Sequence, residues 1–264
     1  MYDTCSMGPQ ELFKLFSHGK KTKGDVKRLN SLLSAISTLQ SPMTSTRRIV
    51  RPCISLEAYR SYCKIADALD TWQGQAYHGA LRTSNIVLCA IALEGQELRP
   101  RNDVIVLASA LIYFGYDPLS SEEENRSSLR SRIPSHFFDG LSEETVLDIF
   151  RVLSTSGVWK RDSLRETVND PLLTTRRNLS DAEFLTTFGI SYEAFLRDHR
   201  NMAIENGKMI HEDEALAYVR NVLYPLVGSG RNSEFGLFSD RLCNNQDVKS
   251  VPILKKAKED KIAA

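Results

Sequence analysis

Disulfide chemistry has little to work with in this chain. Its five cysteines, Cys5, Cys53, Cys63, Cys89 and Cys243, are odd in number and scattered, with no Cys-x-x-Cys pair. That pattern argues against a disulfide framework and suits free thiols in a reducing compartment. The five histidines stand apart, with no His-x-x-x-His and no Cys/His cluster, so no metal ion is expected. There is no Gly-x-Ser-x-Gly elbow, no P-loop Lys-Ser/Thr and no Gly-x-Gly-x-x-Gly spacing, which removes the common signatures of nucleophilic hydrolysis and phosphate cradling. Carboxylate pairs exist at Glu143–Glu144 and Glu212–Asp213, but at the starts of expected helices, where they complement the helix dipole. The expectation is a non-enzymatic protein without a cofactor. Long apolar runs are also missing. The longest, at 86–93 and 104–114, fall short of the roughly 20 residues a spanning helix needs. No charged stretch followed by an apolar one opens the sequence, so no secretory signal is expected.

What is present is ordinary in amount and uneven in placement. The 264 residues are 42% hydrophobic and 25% charged, with a net charge of +1, enough for one sizeable core. Lys14, Lys20, Lys21, Lys23, Lys27, Arg28, Arg47, Arg48, Arg51 and Arg60 face only Asp3, Glu11, Asp25 and Glu57 in the first 60 residues. The end carries Lys249, Lys255, Lys256, Lys258 and Lys261 against Glu259 and Asp260. Basic ends therefore flank an acidic middle, and basic ends attract anionic surfaces, whether lipid or nucleic acid.

Periodicity predicts a helix-dominated α+β fold, close to all-α: a single compact body with a flexible basic N-terminal arm and a flexible C-terminal tail. Residues 1–46 form the arm, with one amphipathic helix from Asp25 (Val26, Leu29, Leu32, Leu33, Ile36, Leu39) and a mobile linker over 41–48. Residues 47–227 form the body, with an internal boundary near 117–133, and 228–264 the polar, basic tail. Residues 48–54 are the best strand candidate in the first third, confined to an edge by Pro52. Ser55 caps a helix that presents Leu56, Tyr59, Cys63, Ala66 and Leu69 on one face. The run 86–93 reads equally as buried strand or buried helix. A further buried helix runs from Asp103 to Gly115, and Ser142 caps another that Gly157 closes. Ser121–Glu124 and Ser180–Glu183 carry capping-box signatures, Gly189 reads as a helix C-cap, and helices are expected over 191–206 and 212–224.

The stretch 59–98 reads YRSYCKIADALDTWQGQAYHGALRTSNIVLCAIALEGQEL. An Arg-Ser-Tyr triplet (Arg60, Ser61, Tyr62) leads an amphipathic segment to Trp72. Tyr77-His78-Gly79 and then Ile91-Ala92-Leu93-Glu94-Gly95 follow. In order and spacing this resembles the central segment of rhabdovirus matrix proteins of the vesicular stomatitis type. The Pro-Pro-x-Tyr motif common in the animal-virus members is absent, and those proteins carry substantial sheet where this chain reads as helix.

The resemblance implies that the stretch is structural core, with Trp72, Tyr77, Gly79 and Gly95 fixing its turns, and that function lies on the periphery. It implies a matrix-type viral structural protein that self-associates during virus assembly and links the viral ribonucleoprotein, through its nucleoprotein, to an anionic lipid membrane. Such a protein would reside in the virion and the host-cell cytoplasm. Lys14, Lys20, Lys21, Lys23, Lys27 and Arg28 would meet lipid or nucleic acid, and Arg176 with Arg177 would extend a secondary basic surface. Lys255, Lys256 and Lys258 would serve nuclear import. The alternative is a small all-helical viral nucleoprotein that encapsidates single-stranded RNA in a groove lined by Arg82, Arg99, Arg101, Arg130, Arg132, Arg176 and Arg177. A host protein-interaction module is the remaining reading.

Overall fold

Asp70 determines how the described chain begins. Its two carboxylate oxygens accept the backbone N–H groups of Met43 and Thr44 at 2.7 and 2.9 Å, satisfying donors that a helix start leaves open. The computed structural model describes residues 42–71, 77–94, 101–155, 170–188 and 192–207. The arm helix expected from Asp25, the helix expected over 212–224, the tail, and Gly157 and Gly189 lie outside them.

From Pro42 a 3₁₀ turn (Met43–Thr46) runs directly into α1 (Arg47–Val50). Two expectations are corrected here. The linker expected over 41–48 is a packed element from residue 42 onward, with Met43 and Thr46 buried. The strand expected over 48–54 is a helical turn followed by a non-helical turn. The β-branched pair Ile49-Val50 favours a strand locally, but Val50 is fully buried in the core and Asp70 holds the start of the preceding turn, so tertiary packing overrides the propensity. Among the described residues there is no strand, and the β component of the expected α+β fold is not found there.

α2 (Leu56–Thr71) starts where expected, with Ser55 Oγ accepting the Ala58 N–H at 3.2 Å. Its buried stripe is Ala58, Ser61, Tyr62, Ile65, Ala66 and Leu69. This is displaced from the expected face, because Leu56 stays exposed and Tyr59 and Cys63 are half-buried. The Tyr62 hydroxyl hydrogen-bonds Thr46 Oγ1, which joins α2 to the 3₁₀ turn.

The run 86–93 proves helical. α3 (Ala80–Glu94) buries Ile86 to Glu94 without interruption, as well as Arg82, Thr83 and Ser84. A helix apolar on all sides belongs in the centre of a fold, and α3 packs against both α4 (Asn102–Leu111) and α7 (Leu173–Phe188). α4 is equally enclosed, with Val104 to Leu111 all buried between α3, α2 and α6 (Glu143–Thr155). Gly115 follows it in a turn at φ +67°, where a Cβ would stand 3.0 Å from the Arg132 side chain, so glycine is required there.

α5 (Glu122–Arg132) begins with the expected capping box. Ser121 Oγ accepts the Glu124 N–H at 3.2 Å, and Glu124 Oε2 accepts the Ser121 N–H at 2.7 Å. A second 3₁₀ turn (Ser135–Phe138) leads to α6, which Ser142 caps through the Thr145 N–H at 3.1 Å. The capping box expected at Ser180–Glu183 is corrected. These residues lie inside α7, where Leu179 and Ala182 are fully buried in the core, so the sequence signature sits mid-helix. α8 (Tyr192–Glu205) ends at Gly207, whose φ of +63° is that of a C-terminal helix glycine. None of the described helices is long and apolar enough to cross a membrane.

Candidate functional site

The densest chemistry in the described body lies where the start of α3 meets α4, α7 and α8. Gly79 occupies the position before α3, and its carbonyl accepts the Thr83 N–H and hydroxyl, both at 3.1 Å. The residues before it are closed by a carboxylate from the far end of the described residues. Glu205 Oε1 accepts the N–H groups of Tyr77 and His78 at 2.5 and 2.8 Å, and Glu205 Oε2 lies 2.6 Å from His78 Nδ1. A negative charge at this point also complements the N-terminal end of the α3 dipole. Burial pushes the Glu205 carboxyl upward, but hydrogen bonds from the His78 ring and from the His78 and Tyr77 backbone outweigh it, holding the group below the usual carboxylate range.

Three tyrosines enclose the His78 ring. It stacks on Tyr116 at 3.6 Å between centroids and meets Tyr113 and Tyr77 edge-on at 4.6 Å each. One helical turn onward, the Arg82 guanidinium lies 3.9 Å from the Tyr77 ring centre and donates from Nη2 to the Tyr113 hydroxyl at 3.0 Å. Tyr113 passes its own proton toward Glu183 Oε1 at 2.5 Å. Burial, reinforced by Glu183 and opposed by Arg82, raises the Tyr113 phenol well above its ordinary value. Burial also raises the Asp198 carboxyl, against the pull of Arg82 and Arg197.

This arrangement holds acid, base and cation together, yet it is closed. Arg82, His78 and Tyr113 are only 9, 7 and 8% exposed. Arg82 keeps two buried donors, Nε and Nη1, without hydrogen-bond partners, a cost that the ring contacts and the nearby carboxylates offset. The cluster's evident work is mechanical, joining four helices around one buried guanidinium. A second buried node does the same at the other end of α3. Glu94 accepts from the Arg101 N–H at 2.9 Å and from Thr175 Oγ1 and Asn178 Nδ2 at 2.8 Å each, tying α3 to α4 and α7.

The residues singled out by sequence are distributed unevenly. Lys14, Lys20, Lys21, Lys23, Lys27, Arg28, Lys255, Lys256, Lys258, Trp72 and Gly95 lie outside the described residues. Tyr77 and Gly79 stand at the entry to α3 as described. Arg176 is engaged by Asp170 at 2.6 Å with its side chain mostly covered, and Arg177 is half-buried. Of the arginines expected to line an RNA groove, Arg82 is enclosed and Arg101 pairs with Asp148 at 3.0 Å. Arg132 donates to the Asn125 side chain at 3.0 Å and to the Gly115 carbonyl, Arg130 is exposed over the Phe150 ring, and Arg99 is not described. Sequence reasoning missed Arg82, Tyr113, Glu183 and Glu205 as a unit. The one local signal was an arginine placed four residues after His78 at the head of an apolar helix.

Among the described residues no three His, Cys, Asp or Glu side chains are placed to hold a metal ion. Comparison of the chain with protein-family models, with curated proteins and with solved structures found no match.

Proposed function

We propose that this chain is a non-enzymatic matrix-type assembly protein of a virus, which self-associates and links a ribonucleoprotein to an anionic membrane. The observation that carries the reading is the place of the 59–98 stretch in the fold. Tyr62, Ile65 and Leu69 of α2 and Ile86 and Leu93 of α3 are among the largest fully enclosed side chains. The burial of these side chains supports the reading, in which the stretch is core and recognition falls to charged surfaces around it. The basic run Lys14 to Arg28 and the Lys255–Lys258 tail supply charge of the sign that anionic head groups attract. Sedimentation velocity of the full chain across a salt series tests self-association. Growth of oligomers as salt falls supports the reading, and a monomer at every salt concentration counts against it.

A second reading has one observation in its favour: the described body is helical without strand, as in small all-helical nucleoproteins. Against it, four of the arginines expected to line the groove, Arg82, Arg101, Arg132 and Arg176, are occupied within the fold. The absorbance ratio at 260 and 280 nm of protein purified in low salt, with nuclease treatment in parallel, separates the two. A nuclease-protected RNA fragment selects the nucleoprotein.

A further inference from the structure

The arginines of the described residues are held in different ways. Arg47, Arg101, Arg151, Arg176 and Arg197 each meet a carboxylate, and Arg82 is enclosed. Arg48, Arg51 and Arg60 are exposed and form no ion pair, and all three belong to one edge of the molecule, whereas Arg130 on α5 and Arg200 on α8, also exposed, stand singly elsewhere.

The geometry of that edge follows from two contacts. Arg47 Nη2 reaches Asp67 at 2.6 Å and the Cys63 carbonyl at 2.9 Å, while the Arg51 guanidinium lies 5.0 Å from the Tyr59 ring centre. α1 therefore runs antiparallel to α2, since advancing from 47 to 51 on one moves from 67 back to 59 on the other. Arg48, three residues before Arg51, shares the outer side of α1. Arg60 lies one turn of α2 beyond Leu56, on the same face. Leu56 is 42% exposed, and Pro52 in the turn between the helices is also exposed. Asp67 is already neutralised by Arg47, which leaves Glu57 as the exposed acid within one turn of these arginines on α2.

We propose that this edge docks the body on an anionic lipid bilayer, with Leu56 and Pro52 entering the headgroup boundary and Arg48, Arg51 and Arg60 meeting lipid phosphates. The inference rests on the matrix-type reading and extends it, because it adds a built face of the body to the basic arm. A bilayer suits the edge better than a nucleic-acid strand on two counts. An exposed leucine and proline gain from insertion at a membrane boundary and gain little from a phosphodiester chain. The Tyr59 ring already has one face covered by Arg51 and the residue is half-buried, which makes it a poor platform for a stacked base. Arginine rather than lysine also fits bidentate contact with phosphate.

The test is flotation of the full chain with phosphatidylcholine vesicles containing or lacking phosphatidylserine, for the wild type, the triple variant R48A/R51A/R60A and Leu56→Ser. A labelled single-stranded RNA oligonucleotide serves as a parallel probe. The wild type is expected to float with anionic vesicles only. The triple variant is expected to lose about a hundredfold in partition at low salt, and Leu56→Ser to lose severalfold without a change in salt dependence. Anionic-lipid binding by the wild type that the triple variant fully retains overturns the inference and leaves the matrix reading standing. Failure of the wild type to float at all overturns both. A triple variant that still floats but releases the RNA reassigns the edge to nucleic acid and also overturns the proposal. The substituted side chains are exposed, and a circular-dichroism melt verifies the fold. Should the triple variant fold poorly, Arg60→Glu carries the same comparison alone.

Discussion

Glu205, in the last turn of α8, holds His78 by ring and backbone together. One carboxylate oxygen faces Nδ1 at 2.6 Å while the other accepts the His78 N–H at 2.8 Å, across 127 residues of sequence. This contact closes the N-terminal approach to α3 with a group from the far end of the described chain. Replacing Glu205 by Ala strands two backbone N–H groups and an imidazole in a covered site, at an expected cost of roughly 2–4 kcal/mol. Glu205→Gln, which keeps an acceptor oxygen, is expected to cost less. Urea denaturation of the two variants checks the order.

The same carboxyl makes stability depend on acid. Its value in the folded state lies below the ordinary one, so it contributes stability that is fully present above the unfolded value of about 4.3 and is lost as pH falls through the folded value. The wild type is therefore expected to lose more stability than Glu205→Gln in that acid window. Urea midpoints measured across the window give the slope directly.

Arg82 and Glu183 share the Tyr113 hydroxyl between them and so are coupled. Arg82→Met removes the buried cation that faces Tyr113, Glu183 and Asp198, at an expected cost of about 3–5 kcal/mol. Adding Glu183→Gln to that variant is expected to return part of the loss, giving a coupling of roughly 1–3 kcal/mol in a double-mutant cycle. Independent, additive losses would show that the cluster does not act as one unit.

Burial separates two leucines of the central region. Leu107 is fully enclosed in α4, and Leu107→Ala is expected to cost about 2–5 kcal/mol through lost transfer energy and a residual cavity. Leu119 is 93% exposed, and Leu119→Ala is expected to stay within about 0.5 kcal/mol of the wild type. Thermal melts of both variants give the comparison.

Ser121 tests the local signal most simply. Ser121→Ala removes the acceptor for the Glu124 N–H and is expected to cost about 1 kcal/mol. The loss should appear as faster amide exchange in the first turn of α5, with little change in α3.

Local chemistry made part of this fold legible. Ser55, Ser121 and Ser142 cap helices in the structure as their neighbours in sequence suggest, because a cap is decided within four residues. The run 86–93 was legible as buried but not as helix, since an all-apolar segment carries no period to read. Residues 48–54 misled because what fixes them comes from Asp70, 27 residues beyond Met43. The Ser180–Glu183 signature misled because helix α7 already runs through it. The cluster around Arg82 was not legible as a unit. Its partners come from Tyr113, 31 residues away, and through Tyr113 from Glu183, 70 residues further. No local pattern reports such a meeting.

We propose that the chain joins an anionic membrane and does not encapsidate RNA. Flotation of the full chain with vesicles rich in phosphatidylserine, set beside neutral vesicles, tests it most directly. The protein is expected in the floating fraction with the anionic vesicles, released as salt is raised, and in the dense fraction with the neutral ones. Protein that stays with the dense fraction under every lipid condition while holding a nuclease-protected RNA fragment would contradict it.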